Sequence, residues 1–301
     1  MIGFVKATVK ALPHPVLLRT YHAWYIRHEE AQIRRASALS GIPMLKHHDL
    51  SQLKSSETVF LFGSGPSIND ISDERWTLIR KHDTIGFNWW PLHRFVPKIY
   101  VYESLQTNSP LYACFMEMFR RRAQDYRDTV KIINAVEDID FRGQLIYEAP
   151  EEFKAKTYVA PIVPVVARNV DELGRGLRFV QRMGGFSLRR SIPWLFKYGG
   201  SVTATIDLAL HIGYKRIVLC GIDLGPQEYF YQNPKLYPES AKWEFVPKNQ
   251  PHLTTRQLEY LVPAQQVIWS MNEEILQPRS VELLVENSSS TLFPRLPKFE
   301  D

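Results

Sequence analysis

Three short segments of this 301-residue chain hold the residue types best suited to chemistry. In the first, the apolar run Val59, Phe60, Leu61, Phe62 breaks into Gly63, Ser64, Gly65, Pro66 and Ser67. This predicts a buried parallel strand ending in a tight turn, whose glycines let the backbone approach a ligand with no Cβ in the way. Ser67 can cap the next helix or donate to an anion. In the second, Gly199, Gly200 and Ser201 open a helix over 202–212 closed by Gly213, and a strand over 217–220 then runs into Gly221, Ile222 and Asp223. Two strand-then-glycine edges are what a nucleotide-binding α/β sheet places at its carboxyl ends, although such a turn can also simply end a strand. The third segment holds His252, whose imidazole can take a hydroxyl proton near neutral pH. It can equally be a surface residue at a helix entry. The other eight histidines fall in the N-terminal arm, in loops or inside a helix.

The elements that must position these residues begin near Thr58. A helix is expected over 73–81 with Trp76, Leu78 and Ile79 inward, a strand over 83–88 ending in Asn88, and a strand over 98–102 ending at Glu103. A helix over 111–122 and a strand over 130–134 follow. Right-handed βαβ connections put the carboxyl ends of such strands on one side of the sheet. Residues 159–168 are rich in β-branched types, and 175–190 are basic and glycine-containing. Residues 225–251, rich in Pro, Tyr, Gln and Asn, read as a lid or binding loop. A helix over 254–270, in spite of Pro263, and a strand over 281–285 that runs into Glu286, Asn287 and Ser288 complete the pattern.

Composition bounds the answer. With 45% hydrophobic and 23% charged residues, the chain can bury one large core or two small ones. The formal net charge of +5 is uneven: residues 1–46 carry Lys6, Lys10, Arg19, Arg27, Arg34, Arg35 and Lys46 against Glu29 and Glu30. With Phe4, Trp24 and Tyr25, this basic amphipathic arm over 1–57 suits either an anionic membrane surface or packing on the domain or on a second copy of the chain. A homo-oligomer is therefore one expected partner state. Cys114 and Cys220 lie in apolar surroundings without metal spacing, as in a reducing compartment. No membrane span or cleavable signal is legible, so the expected location is cytoplasmic, at or near the inner face of the membrane. Asp138 and Asp140 form a D-x-D, which reads as a solvated acidic turn. The basic run Arg175, Arg178, Arg182, Arg189 and Arg190 suits an anionic acceptor or a solvated helix face. Nucleic acid is not an expected partner, because no recognition-fold signature accompanies the basic residues.

The ordered set of the 63–67 turn, Phe87-Asn88, the 199–223 unit, His252 and Asn287-Ser288 resembles the bacterial sialyltransferases of glycosyltransferase family 42, which sialylate lipooligosaccharide. The resemblance implies an α/β fold, GT-A-like, with a single Rossmann-type, mostly parallel sheet over 58–301 and a lid at about 225–251. It implies inverting transfer of sialic acid or a related nonulosonate from a CMP-activated sugar to a glycan acceptor such as lipooligosaccharide or capsule. No cofactor or metal is implied. Donor contacts would fall on Gly63, Ser64, Gly65, Pro66, Ser67, Asn88, Gly200, Ser201, Gly221, Ile222, Asp223, Asn287 and Ser288. Tyr231 would stabilise the leaving phosphate, with a second tyrosine displaced to Tyr229 or Tyr237, and His252 would be the base. Glu103 stands where the family has a second Asn, on the donor or acceptor side, and a carboxylate there would repel a donor phosphate unless it faces the acceptor or a ribose. The wider superfamily, with flagellin-modifying transferases and archaeal pterin diphosphotransferases, shares the turn. A pterin diphosphotransferase and a non-catalytic partner of an envelope polysaccharide complex are the alternatives.

Overall fold

The computed structural model describes residues 15–103, 105, 109, 111–134, 148–163, 165–187, 191–225, 228–240, 253–258 and 261–300, with side chains from residue 23 onward. The strands are β1 (Thr58–Phe62), β2 (Asp83–Phe87), β3 (Ile99–Glu103), β4 (Val130–Asn134), β5 (Thr157–Ala160), β6 (Ile162–Val163), β7 (Leu195–Phe196), β8 (Arg216–Cys220) and β9 (Glu282–Val285). The helices are α1 (Pro15–Ser40), α2 (His47–Ser51), α3 (Asp73–Ile79), α4 (Tyr112–Arg122), α5 (Glu151–Lys154), α6 (Val170–Arg182), α7 (Ser201–Ile212) and α8 (Ala264–Met271). Seven strands form one all-parallel sheet in the order β5-β4-β3-β2-β1-β8-β9, and β6 pairs with β7 apart from it. This is the α/β architecture expected from the alternating strand and helix pattern.

The continuous apolar runs are explained by burial on both sheet faces. Along β1, Val59 and Leu61 join the cluster beneath α6, α7 and α8, while Phe60 and Phe62 join the aromatic cluster beneath α3 and α4. β3 repeats the alternation, with Ile99 and Val101 on one face and Tyr100 and Tyr102 on the other. Both outer edges are covered, which removes the exposed ladder that invites association. On β5, Leu45 N–H donates to Val159 O (2.8 Å) and Val159 N–H to Pro43 O (3.0 Å). On β9, Val285 exchanges bonds of 2.9 and 2.8 Å with Pro297 and Phe299.

Two expectations change. The arm does not stand apart from the domain. Tyr25, Ile26, Ile33 and Ala36 of α1 are buried, with Ile26 in one core cluster and Ile33 and Ala36 in the other, and Trp24 remains exposed. The packing alternative thus accounts for the arm from Tyr25 on. No helix among the described residues is long and apolar enough to cross a membrane. The helix expected over 254–270 is instead a 3-10 turn, Leu253–Thr255, and a later α8 that starts directly after Pro263. Proline lacks an N–H and drives the preceding residue out of the helical region, so it opens this helix rather than sitting within it. In the stretch left without an element, the Asn169 side chain accepts from Glu172 N–H (2.9 Å) and starts α6. Gly176 lets that helix approach Val165, whose Cγ1 would lie 2.4 Å from a Cβ there.

At the amino edge of the sheet, Asp83 binds the segment that feeds β1. Its carboxylate accepts from Ser55 N–H and Ser55 Oγ (both 2.6 Å), Ser56 N–H (3.1 Å) and Lys98 Nζ (2.6 Å). Burial opposes its ionisation, but Lys98, Ser55 and Tyr214 outweigh that and hold its pKa below the usual value. A depressed folded pKa gives stability that is present above the unfolded value, near 4, and is lost as pH falls through the folded one. Asp83→Asn should therefore cost about 3 kcal/mol at neutral pH, the low end for breaking a buried pair because Lys98 is partly exposed. Urea denaturation at pH 7 and pH 3 checks this: the gap between the two proteins should narrow in acid.

Candidate functional site

The chain leaves β1 toward β2, runs outward to β5, and returns to place β8 on the other side of β1. The carboxyl ends of β1 and β8 are therefore the switch point at which open α/β sheets form a ligand crevice. The two glycine turns meet there. Gly63 N–H donates to Cys220 O (2.8 Å) and Gly65 N–H to Gly221 O (2.7 Å). A Cβ on Gly63 would lie 2.5 Å from Gly221 O, and one on Gly65 2.3 Å from Asp223 Oδ2. Gly221 has φ +64°, a region that favours glycine. The glycines serve loop-to-loop contact as much as access for a ligand. Ser67 is committed to this contact too, its N–H and Oγ donating to Asp223 at 3.0 and 2.6 Å. Burial raises the Asp223 pKa, the Ser67 bonds oppose that, and nearby Asp70 adds to the rise.

A third segment closes the crevice. α7 begins at Ser201 after Gly199 (φ +70°) and Gly200, and no side chain caps its first turn. Its amino-terminal N–H groups and the positive end of its dipole are thus left for an anion. The approach to α7 is held by Tyr198, whose hydroxyl donates to Ala167 O (2.9 Å) and accepts from Val262 N–H (3.0 Å). At the end of β2, Asn88 takes φ +53°, which asparagine tolerates better than most side chains. Its N–H donates to Val101 O (3.1 Å), and its carbonyl accepts from the Tyr100 hydroxyl. Ser201 Oγ lies 3.2 Å from Asn88 Oδ1 and 3.0 Å from Glu103 Oε1, and with one proton it donates to one of them at a time. Lys197 Nζ stands 2.7 Å from the same Glu103 oxygen.

The result is a cleft of about 250 Å³. Of the residues expected at a donor site, Gly63, Ser64, Gly65, Pro66, Asn88, Gly200, Ser201, Gly221, Ile222 and Asp223 line it. Ser67 lies behind its wall. Asn287 and Ser288 do not line it: Asn287 Oδ1 accepts from Ser289 N–H (2.9 Å), and the turn instead supports the 222–223 loop through Ser290 Oγ to Ile222 O (2.8 Å) and Thr291 N–H to Asp223 O (3.0 Å). Glu103 is one side chain removed from the cleft, reaching it through Ser201. Tyr231 is buried behind the wall, its hydroxyl without a hydrogen-bond partner among the described residues. Burial raises its pKa well above the usual value. Tyr229, one of the two positions expected for the second tyrosine, is in the wall and stacks on Tyr231 at 5.3 Å between ring centroids. His252, Asp138, Asp140, Arg189 and Arg190 lie outside the described residues, as does part of the 225–251 segment. The residues that follow His252 in sequence, Thr254 and Thr255, line the cleft.

Trp89, Leu224, Glu228, Thr254 and Thr255 are cleft residues that the sequence reading did not select. Trp89 had a signal, since it directly follows the polar strand end. Leu224 adopts φ +52°, a strained conformation for a branched side chain, where the loop leaves Asp223. Nothing in its residue type announces that.

No family model matches the chain, and no curated protein matches it. Among solved structures, it is similar to the monofunctional alpha-2,3-sialyltransferase Cst-I from Campylobacter jejuni, with 15% identity, a TM-score of 0.46 and 81% of each chain covered. It is similar to the sialyltransferase CstII from Campylobacter jejuni in complex with the substrate analogue CMP-3FNeuAc, with 12% identity, a TM-score of 0.39, and 81% of this chain and 85% of that one covered. A structure of the sialyltransferase CST-II with a trisaccharide acceptor and CMP gives 12% identity and a TM-score of 0.40, over 81% of this chain and 86% of that one.

Proposed function

We propose that this chain is a glycosyltransferase that moves sialic acid or a related nonulosonate from a CMP-activated donor to a glycan hydroxyl with inversion. One observation carries the reading. Segments far apart in sequence, which together resemble a sialyltransferase pattern, converge on a single cleft at the sheet's switch point: the 63–66 turn, Asn88, Gly200-Ser201 and the 221–223 loop.

The chemistry follows from that arrangement. The acceptor oxygen attacks the anomeric carbon while the bond to the phosphate oxygen breaks, and CMP leaves with the electron pair. The uncapped N–H groups at the start of α7 suit the phosphate and need no metal. A hydroxyl donor aimed at the leaving oxygen adds stabilisation where charge develops. Tyr229, in the cleft wall, replaces Tyr231 in that role. His252 takes the acceptor proton as general base. Glu103 does not stand as a bare carboxylate against the donor, because Lys197 pairs with it.

CMP at a hundredfold excess over its dissociation constant should stabilise the fold by about 2.7 kcal/mol. A thermal-shift series reads this. A shift with UDP or ATP in place of CMP would remove the donor assignment, and turnover of ATP with a pterin would replace it with diphosphoryl transfer.

His252→Ala should lower turnover by about a hundred- to ten-thousandfold with CMP affinity nearly unchanged. The wild-type rate should fall on the acid side as the imidazole protonates. An active variant with the same acid limb would place the base elsewhere.

The two tyrosines should separate. Tyr229→Phe should slow turnover by about a hundredfold, the loss of one donor to a developing oxyanion. Tyr231→Phe should leave turnover intact and slightly raise the melting temperature, because it deletes a buried hydroxyl that has no hydrogen-bond partner among the described residues. Steady-state rates and melting curves of both variants check the pair, and a reversed order would restore Tyr231 as the donor.

A further inference from the structure

We infer that the Lys197–Glu103 pair is a positioning device: through the Ser201 hydroxyl it turns the Asn88 side-chain amide so that its oxygen, and not its NH2 group, faces the cleft. The ligand that this oxygen would meet rests on the CMP-donor reading above; the orientation does not.

Asn88 has one freedom left. Its backbone is held on both sides at φ +53°, by Val101 O on its N–H and by the Tyr100 hydroxyl on its carbonyl. Its side chain is half-buried and lines the cleft. One amide atom stands 3.2 Å from Ser201 Oγ. The other has no hydrogen-bond partner among the described residues and is not sealed from solvent. A half-turn about the Cβ–Cγ bond exchanges Oδ1 and Nδ2 with almost no change of shape. Hydrogen bonding alone therefore decides which of them a ligand meets.

The Ser201 proton makes that decision. The hydroxyl has one hydrogen and two acceptors before it, Glu103 Oε1 at 3.0 Å and the Asn88 amide oxygen at 3.2 Å. A hydrogen bond to a carboxylate is roughly twice as strong as one to a neutral oxygen. The proton goes to Glu103, whose Oε1 is also held by Lys197 Nζ at 2.7 Å. An amide oxygen left against the Ser201 lone pairs is then repelled. The turned amide instead donates through Nδ2 to Ser201 Oγ. Every group in the row is satisfied: Asn88 donates to Ser201, and Ser201 and Lys197 both donate to Glu103. The row ends at the cleft in an acceptor, Asn88 Oδ1. This corner suits a hydroxyl or amine hydrogen of a ligand and repels a phosphate oxygen, which belongs at the uncapped amides of α7. Charge at residue 103 is thus read out as donor or acceptor at residue 88.

Hydrogen exchange of the Asn88 side-chain NH2 group, followed by NMR on the full chain with isotope-labelled asparagine, tests this. Asn88→Asp identifies the signal. In the wild type these protons should exchange slowly, because they face Ser201. Glu103→Gln combined with Lys197→Met makes the two acceptors alike and should speed exchange on the order of tenfold. Lys197→Arg keeps the pair and should leave the rate unchanged. If the double variant does not fold, Ser201→Ala, which removes the acceptor for the amide, should speed exchange in the same way. Equal rates in the wild type and these faster variants, a rate raised as much by Lys197→Arg, or wild-type exchange slowed by inorganic phosphate would overturn the inference. Cytidine, which carries hydroxyl and amine hydrogens, should shift the Asn88 amide nitrogen resonance. Exchange that follows the variants as stated, with the resonance unmoved by both cytidine and CMP, would overturn the CMP-donor reading and leave the positioning of Asn88 standing.

Discussion

The place where a Cβ of residue 65 would stand, 2.3 Å from Asp223 Oδ2, is filled by the opposite loop, and much of the site depends on that crowding. With no side chain at 65, its N–H can reach Gly221 O, Ser67 can cap itself on Asp223, and the ends of β1 and β8 draw together. The contact is non-local: Ser67 and Asp223 lie 156 residues apart in sequence. It can form only once the sheet has brought β8 beside β1, so the cleft floor is a product of complete folding rather than of either turn alone. The raised pKa of Asp223 belongs to the same economy of space. Burial disfavours this carboxylate as an anion in spite of the two Ser67 donors, whose bonds to it join the two loops.

Everything else at the crevice is placed relative to this junction. The 288–291 turn braces the 222–223 loop from one side, and the 229–232 turn braces the 63–65 turn from the other. α7 contributes through its first residues while its whole length is buried, so it cannot rotate away without opening the core. The covered edges at β5 and β9 have the same effect at longer range, keeping the sheet a closed unit whose one pronounced asymmetry is the switch point. That is why α1, basic and aromatic as it is, matters to the site: Ile26, Ile33 and Ala36 sit in the two cores that hold the strands.

The strands and α7 were legible in the sequence because their signals are local. Apolar runs bounded by glycine or polar residues mark strands such as 58–62, 83–87 and 130–134, and Gly213 marks the end of α7 with a left-handed cap. The glycines of the two turns that meet at the cleft were legible for the same reason. What failed to show depends on partners distant in sequence. Whether Tyr229 or Tyr231 faces the cleft is decided by a turn fastened to Ser64, and counting from Asp223 cannot see it. Asn287 and Ser288 read as ligands although their neighbours Ser290 and Thr291 make the bonds, and those bonds go to backbone. α6 was hidden because its apolar stripe is interrupted by Gly174 and Gly176, which look like loop residues until Val165 is seen against one of them.

Glu103 shows how a departure from a family pattern is answered within a fold. Read alone, a carboxylate at the end of β3 argues against an anionic donor. The structure supplies Lys197, immediately after β7, at 2.7 Å. The pair is neutral as a unit, and Ser201 Oγ stands between it and Asn88. Charge at this corner of the crevice is thus set by two residues 94 positions apart (197 minus 103), neither of which lines the cleft. Removing one partner leaves an unbalanced charge one side chain from the cleft, whereas exchanging both for neutral groups restores the balance. The identity of residue 103 therefore cannot be weighed without residue 197, and a substitution at either one reaches the cleft through Ser201 and Asn88, the two side chains that connect the pair to it.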